Sequence, residues 1–281
     1  MRVTFCGTRG STPAPGSAFV RYGGHTSCVA LAHDDADANP SLLLDAGTGL
    51  RRVGELLGTH PFRGSVLLTH LHWDHVQGLP FFASGDRDDA VVSLLLPGED
   101  DHTDAEALLE RMMSPPFFPI APSQLRGTWR FGLVPGGTFD VEGFEIRARE
   151  IPHKGGRTLG FRVSDGHSSV AYLPDHCPTL LGSGPEGIGE YHEAALDLSR
   201  GVDLLIHDAH LRAEEVPAEG SFGHAAAEYA VGLGTAAGSR RVALFHHRPE
   251  RDDTEVDRTL SRFADGPVLV LAAEEGRTIS L

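Results

Sequence analysis

The residues with the clearest chemistry stand together in the run His70-Leu71-His72-Trp73-Asp74-His75. The apolar stretch Ser65-Val66-Leu67-Leu68-Thr69 before it reads as a buried strand, and alternation along an extended chain sends His70 and His72 to the same side. Asp74 and His75 open a short helical turn that continues through Val76 and Gln77 and ends at Gly78-Leu79-Pro80. Imidazoles and a carboxylate gathered at a strand-to-helix elbow are ligands for Zn²⁺, with Mn²⁺ or Fe as alternatives. Donors so placed serve two adjacent ions, and an ion pair of this kind activates water, so the expected chemistry is hydrolysis. About three more donors are needed to complete two sites, and they should also sit at strand ends.

Three stretches supply them. Phe144 to Glu150 leads into Ile151-Pro152-His153, Ser168-Ser169-Val170-Ala171-Tyr172-Leu173-Pro174 leads into Asp175, and Val242-Ala243-Leu244-Phe245 leads into His246. Each donor follows an apolar strand. Asp175 has rivals in His176 and Cys177, but it stands directly after its strand and a carboxylate can bridge two ions. Only one of His246 and His247 can face inward by alternation, and the residues alone leave that choice open.

The elements that must hold these donors are short apolar runs punctuated by Gly, Pro and Asp. Strands are expected near residues 2 to 6, 27 to 32, 41 to 45, 65 to 69, 91 to 96, 128 to 134, 144 to 151, 158 to 164, 168 to 173, 202 to 207, 241 to 246 and 267 to 272. Helical periodicity covers 50 to 57, 105 to 113, 193 to 198, 225 to 233 and 256 to 263. Helices arrive only after every second or third strand, which argues against a simple βαβ repeat and for two mixed sheets with helices outside, an α/β (α+β) sandwich. No linker-like stretch divides residues 1–281, so one domain is expected. Ser114-Pro115-Pro116-Phe117-Phe118-Pro119 reads as a loop, with Phe117 and Phe118 either walling a pocket or closing a core edge, and residues 99–122 read as a flap over the site.

The bulk composition narrows the substrate. With 24 basic against 39 acidic residues the net charge is −15, which excludes a long nucleic-acid footprint and favours a small substrate. Cys6, Cys28 and Cys177 show no paired spacing and fit a reducing compartment. The chain runs from Met1 directly into a strand pattern and holds no apolar run of membrane-spanning length, so a cytoplasmic location without membrane partners is expected.

The order His-x-His-x-Asp-His, then a distant His, Asp and His, resembles the metallo-β-lactamase superfamily. Gly7-Thr8-Arg9-Gly10-Ser11, Tyr22-Gly23-Gly24, Leu44-Asp45-Ala46-Gly47-Thr48-Gly49, Thr69 to His75 and Phe245-His246-His247-Arg248-Pro249 together are similar to its phosphodiesterase and RNase Z-like branch, over nearly the whole chain. The resemblance implies a four-layer αββα sandwich with metals at one edge of the two sheets. It implies His70, His72 and His153 on a first ion, Asp74, His75 and His246 on a second, and Asp175 bridging them. It further implies Asp208 as an acidic residue behind the ligands, Asp45 as the carboxylate that fixes a metal-bound imidazole, and His224 as a histidine meeting the phosphoryl oxygen. This chain departs from the branch at His25, where Asn is frequent, and at Ala225 and Ala226, where a Ser-Thr pair is usual. Only residues 154 to 174 separate His153 from Asp175, an interval in which tRNA-processing members insert a long arm.

The expected reaction is hydrolysis of a small anionic phosphodiester, a cyclic nucleotide or cyclic sugar phosphate, by a hydroxide bridging two ions. Asp74 takes the proton of that water, and His224 donates a hydrogen bond to the phosphoryl oxygens or protonates the leaving group. A carboxylic ester, lactone or thioester hydrolase with the same site is the alternative, and an inactive metal-stabilised binding module is the alternative of another class. A homodimer is compatible with this reading. His25 is assigned either to substrate or to the ligands' surroundings, His207 and His210 are undecided between pocket and structure, and His33, His60, His102, His167 and His192 are expected to be solvated. Lys154 and Arg157 could attract an anion, and Gly47-Thr48-Gly49 lacks the Lys-Ser/Thr of a phosphate loop and reads as a tight turn.

Overall fold

The computed structural model describes residues 1–35, 39–100, 102–184 and 186–281. β1 (Arg2–Gly7), β2 (Cys28–Ala32), β3 (Leu42–Leu44), β4 (Arg63–Leu67), β5 (Val91–Leu96) and β6 (Thr128–Leu133) build one sheet. β7 (Gly137–Val141), β8 (Phe144–Glu150), β9 (Leu159–Ser164), β10 (Ser169–Leu173), β11 (Leu204–Asp208), β12 (Arg241–Phe245) and β13 (Leu269–Ala272) build the other. The last strand, β14 (Thr278–Ser280), crosses back and pairs antiparallel with β1. The sheet orders are therefore β14-β1-β2-β3-β4-β5-β6 and β13-β12-β11-β10-β9-β8-β7. Each sheet is antiparallel in one half and parallel in the other, with the change at β3 in the first and at β10 in the second.

Alternation along the strands sorts the side chains into three packed layers. Phe5, Leu31, Leu44, Phe144, Phe161, Tyr172, Ile206 and Phe245 fill the space between the sheets. The outer face of the first sheet is covered by α1 (Leu50–Leu57), α2 (Trp73–Val76) and α3 (Ala105–Glu110), with Leu50, Val53 and Leu57 of α1 on the buried side at helical spacing. The outer face of the second is covered by α4 (Glu193–Ser199), α5 (Val216–Glu219) and α6 (Ala227–Ala237), while α7 (Asp253–Ser261) packs beside β13. The architecture is the four-layer αββα sandwich. No helix among the described residues is long and apolar enough to cross a membrane.

Two strands escape the sequence pattern. β7 is the edge of its sheet and largely exposed, so it carries no clear alternation, and β14 has only three residues and one buried side chain. Within 99–122 the chain forms α3, while Asp101 lies outside the described residues. Phe118 meets the edge of Phe81 at 5.7 Å, and Phe117 is 81% exposed.

These layers predict opposite outcomes for two phenylalanines. Phe161→Ala, in the layer between the sheets, should cost about 3–5 kcal/mol in chemical denaturation. Phe117→Ala should stay within about 0.5 kcal/mol of the parent in the same measurement.

Candidate metal centre

The strands that carry the donors end at one edge of the sandwich. Asp45 follows β3, His70 lies just beyond β4, His153 follows β8, Asp175 follows β10, Asp208 ends β11 and His246 follows β12. β3 and β4 are parallel neighbours, as are β10, β11 and β12, so their C-terminal ends share that edge. Open α/β sheets place ligands at such ends. Among the described residues, four non-glycine residues have positive φ, and three of them, Ser11, Asp45 and His246, stand here. Backbone in that region persists where surrounding contacts enforce it, and such residues cluster at functional sites.

The side chains converge in five overlapping groups, three of which are His210 with His224 and His246, Asp175 with Asp208, His224 and His246, and His70 with His75 and Asp175, while the other two match the expected ligand sets. Donor atoms of His70, His72 and His153 all lie within 4.8 Å of one another, and so do those of Asp74, His75 and His246. In the first group His153 Nε2 is 3.2 Å from His72 Nδ1. In the second, His246 Nε2 is 3.1 Å from Asp74 Oδ2 and 3.3 Å from His75 Nε2. Asp175 stands between them, with Oδ2 at 2.6 Å from His75 Nε2, 3.3 Å from His246 Nε2 and 3.9 Å from His70 Nε2. Its other oxygen, Oδ1, is 3.8 Å from His153 Nε2 and 3.2 Å from His224 Nδ1. A cleft of about 400 Å³ opens above, lined by Leu71, His72, Trp73, Asp74, Asp175 and His224 among others.

Buried partners fix how each ring presents its nitrogen. His75 Nδ1 donates to Asp45 Oδ2 at 2.8 Å, which leaves Nε2 for the centre. Asp45 is itself held by the Thr69 amide, the Thr69 hydroxyl and the Tyr172 hydroxyl, at 2.7 to 3.0 Å. His153 Nδ1 donates to the Gly223 carbonyl at 2.8 Å, and the Ser11 amide donates to Asp74 Oδ2 at 2.6 Å. Gly10 lies flat against the remaining ring, since a Cβ there would stand 2.4 Å from His246 Nδ1.

The electrostatics favour positive charge at the centre. Burial alone would raise the Asp175 carboxyl, yet the surrounding imidazoles of His246 and His75 hold it well below the usual carboxylate range. Asp74 is likewise lowered against its burial, chiefly by His75 and His246. Burial opposes a charged His224, but Asp208 and Asp175 on its Nδ1 push it up to about 10. His70, by contrast, is driven well down by burial and by His75.

Divalent cations fit this donor set. His70 Nε2 and Asp175 Oδ2 are buried without a hydrogen-bond partner, a costly state for polar atoms that point into a shared space. The 2.6 Å approach of His75 Nε2 to Asp175 Oδ2 falls short of an ordinary N–H···O separation and leaves the oxygen unpartnered. Imidazoles with a few carboxylates are the ligands of Zn²⁺ and its first-row neighbours.

Not every residue singled out in the sequence joins the centre. His25 stands off the cleft with Nδ1 3.2 Å from Thr48 Oγ1. His207 turns behind it and shares a hydrogen bond of 3.0 Å with His176. His247 points to the Ala273 carbonyl at 3.0 Å, and Cys177 lies against the Gly220 carbonyl. His210 does approach: its ring stacks on His224 with centroids 4.2 Å apart, and its Nδ1 is buried without a partner. Asp208 ties the two together, accepting from His224 Nδ1 at 3.2 Å and from the His210 amide at 2.9 Å. Two of the histidines expected to be solvated are not: His33 stacks on Phe144 at 4.1 Å, and His192 is half-buried beside His176. Ser11 and Tyr172 went unread as parts of the site, although a lone tyrosine on an inward-facing strand position must find a partner for its hydroxyl.

Two substitutions test the support of the rings. Asp45→Asn leaves His75 without its carboxylate and should weaken divalent-metal affinity by about 10–100-fold in competition with a chelator. Gly10→Ala should likewise lower metal affinity while circular dichroism keeps the parent spectrum.

Known proteins share this fold and sequence pattern. A family model described as beta-lactamase superfamily domain matches residues 41–247. A protein named Ribonuclease Z from Natronomonas pharaonis is 24% identical over 325 aligned positions that cover 100% of this chain and 98% of the relative. The metallo-beta-lactamase fold protein YhfI from Bacillus subtilis superposes with a TM-score of 0.72 at 18% identity, covering 99% of each chain. A diphosphatase of the PhnP family superposes with a TM-score of 0.67 at 17% identity, covering 100% of this chain and 97% of the other. With its donors at the strand ends of a four-layer sandwich and the family pattern running from the third strand to His247, the chain belongs to the beta-lactamase superfamily.

Proposed function

We propose that this metal-dependent hydrolase cleaves a small anionic phosphodiester, with two divalent cations, Zn²⁺ first and Mn²⁺ or Fe as alternatives, held by the two donor groups. His70, His72 and His153 hold one, Asp74, His75 and His246 the other, and Asp175 lies between. Bound there, such cations supply Lewis acidity and a nucleophilic oxygen at neutral pH. The observation that carries the reading is the placement of His224. Its Nδ1 is held 3.2 Å from both Asp175 and Asp208, so the ring is fixed at the cleft wall beside the two donor groups.

The residues then divide the work. Asp74, with Oδ2 tied to the Ser11 amide and near His246, is the carboxylate that takes a proton from the attacking water. His224 donates to a phosphoryl oxygen or to the departing alkoxide. Asp45 and Asp208 orient imidazoles, and His25 braces the turn at Thr48. A relative named for cleavage of RNA supports phosphodiester chemistry. The short interval between His153 and Asp175 and the charge of −15 favour a small substrate over a long nucleic acid. Leu108, Leu109 and Met112 line a cavity beside His70 and His72, which supports residues 99–122 as a wall of the site.

A panel of bis(4-nitrophenyl) phosphate, cyclic nucleotides, cyclic sugar phosphates and lactones tests the reaction. Turnover of the phosphodiesters, abolished by a chelator and restored by metal, is expected, whereas turnover of lactones alone would overturn it. His224→Ala should lower kcat by about 10²–10⁴-fold on esters with alkyl leaving groups. The loss should be much smaller on 4-nitrophenyl esters, whose leaving group needs no proton. Asp175→Ala should abolish turnover with the fold intact, and unchanged activity would remove it from the site.

A further inference from the structure

A second cavity, of about 390 Å³, opens beside the reacting cleft and shares with it only the ridge Leu71, His72 and Trp73. It lies on the side of His70 and His72, away from Asp74 and His224, and its size suits a small-molecule site. Its lining is mixed: Trp73, itself 77% exposed, Leu108 and Met112 stand beside the polar groups of His70, His72 and Thr158. Its rim carries two exposed side chains of opposite charge, Glu99 and Arg111, neither of which makes an ion pair or side-chain hydrogen bond among the described residues. The other arginine of the lining, Arg157, is already committed to the Gly98 carbonyl and Glu150.

We infer that this side cavity binds the non-reacting end of the substrate, and that this end is a nucleobase or a similar flat heteroaromatic ring. The inference rests on the phosphodiesterase reading and narrows it from cyclic phosphates in general to base-bearing ones. Trp73, Leu108 and Met112 line the same cavity, so a flat ring bound there would find an indole to stack on and apolar side chains to contact. Its edge needs donors and acceptors together, which Arg111 and Glu99 supply. A bare sugar phosphate offers no flat face to Trp73, Leu108 and Met112. The ridge Leu71, His72 and Trp73 joins this cavity to the cleft that holds Asp175 and His224, so the ring would lie in one and the phosphate in the other.

Calorimetric titration of the metal-loaded full chain with adenosine 5′-monophosphate, phenyl phosphate and ribose 5-phosphate tests this. The three share a phosphate and differ in the ring. Adenosine monophosphate should bind about tenfold or more tightly than ribose 5-phosphate, with phenyl phosphate between them. Met112→Trp, which fills the cavity, should bring adenosine monophosphate down to the affinity of ribose 5-phosphate while leaving the latter unchanged, and Trp73→Ala, at the ridge shared with the reacting cleft, should weaken adenosine monophosphate more than ribose 5-phosphate. Arg111→Ala and Glu99→Gln should close the gap between adenosine monophosphate and phenyl phosphate. In a Trp129→Phe background the fluorescence of Trp73 should change with adenosine monophosphate and not with ribose 5-phosphate. Equal affinities in the parent chain, or variants that weaken all three ligands alike, would overturn the inference. Preference for the base without hydrolysis of any phosphodiester would instead overturn the proposed reaction and leave the cavity's ligand standing.

Discussion

A single buried carboxylate organises this molecule's functional edge. Asp175 approaches His70, His75, His153, His224 and His246, each within 4 Å, at the end of a strand in the middle of the second sheet. So many nitrogen and oxygen donors cannot satisfy one another by hydrogen bonding, and the unpartnered His70 Nε2 and Asp175 Oδ2 record the conflict. Cations bound among these donors would resolve it, and the strand ends hold the donors at those separations.

The sandwich does this with two sheets whose ends meet. The first sheet brings the elbow after β4, with His70 to His75, and the second brings Asp175 and His246 from parallel neighbours β10 and β12. Contacts between the sheets lock the halves together at the site itself: Asp45, from the first sheet, accepts from Tyr172 on the second while it orients His75. The same carboxylate therefore serves packing and chemistry. On the far side Asp208 does comparable work for His224 and His210, so the wall of the cleft is as rigidly set as its floor.

What could be read in the sequence was whatever repeats locally. An apolar run followed by His or Asp marks a strand end, and that pattern alone brought His70, His72, His153, Asp175 and His246 into view, along with most strand positions. The choice between His246 and His247 needed more than alternation, because the chain takes a positive φ at His246 and extended-chain periodicity stops there. Contacts between residues distant in sequence stayed hidden. Nothing near Tyr172 points to Asp45, nothing near His210 announces that its ring will stack on His224, and His33 reads as solvated until Phe144 covers it. The edge strand β7 and the short β14 leave no signal in the sequence, because neither buries enough of its length to impose a pattern.

The donor groups on either side of Asp175 should each hold one cation. Anomalous diffraction from crystals of the metal-loaded chain, collected at the metal absorption edge, addresses it directly. Two peaks per chain are expected, one among His70, His72 and His153 and one among Asp74, His75 and His246, with Asp175 beside both. A single peak, or density only among His210, His224 and His246, would contradict it.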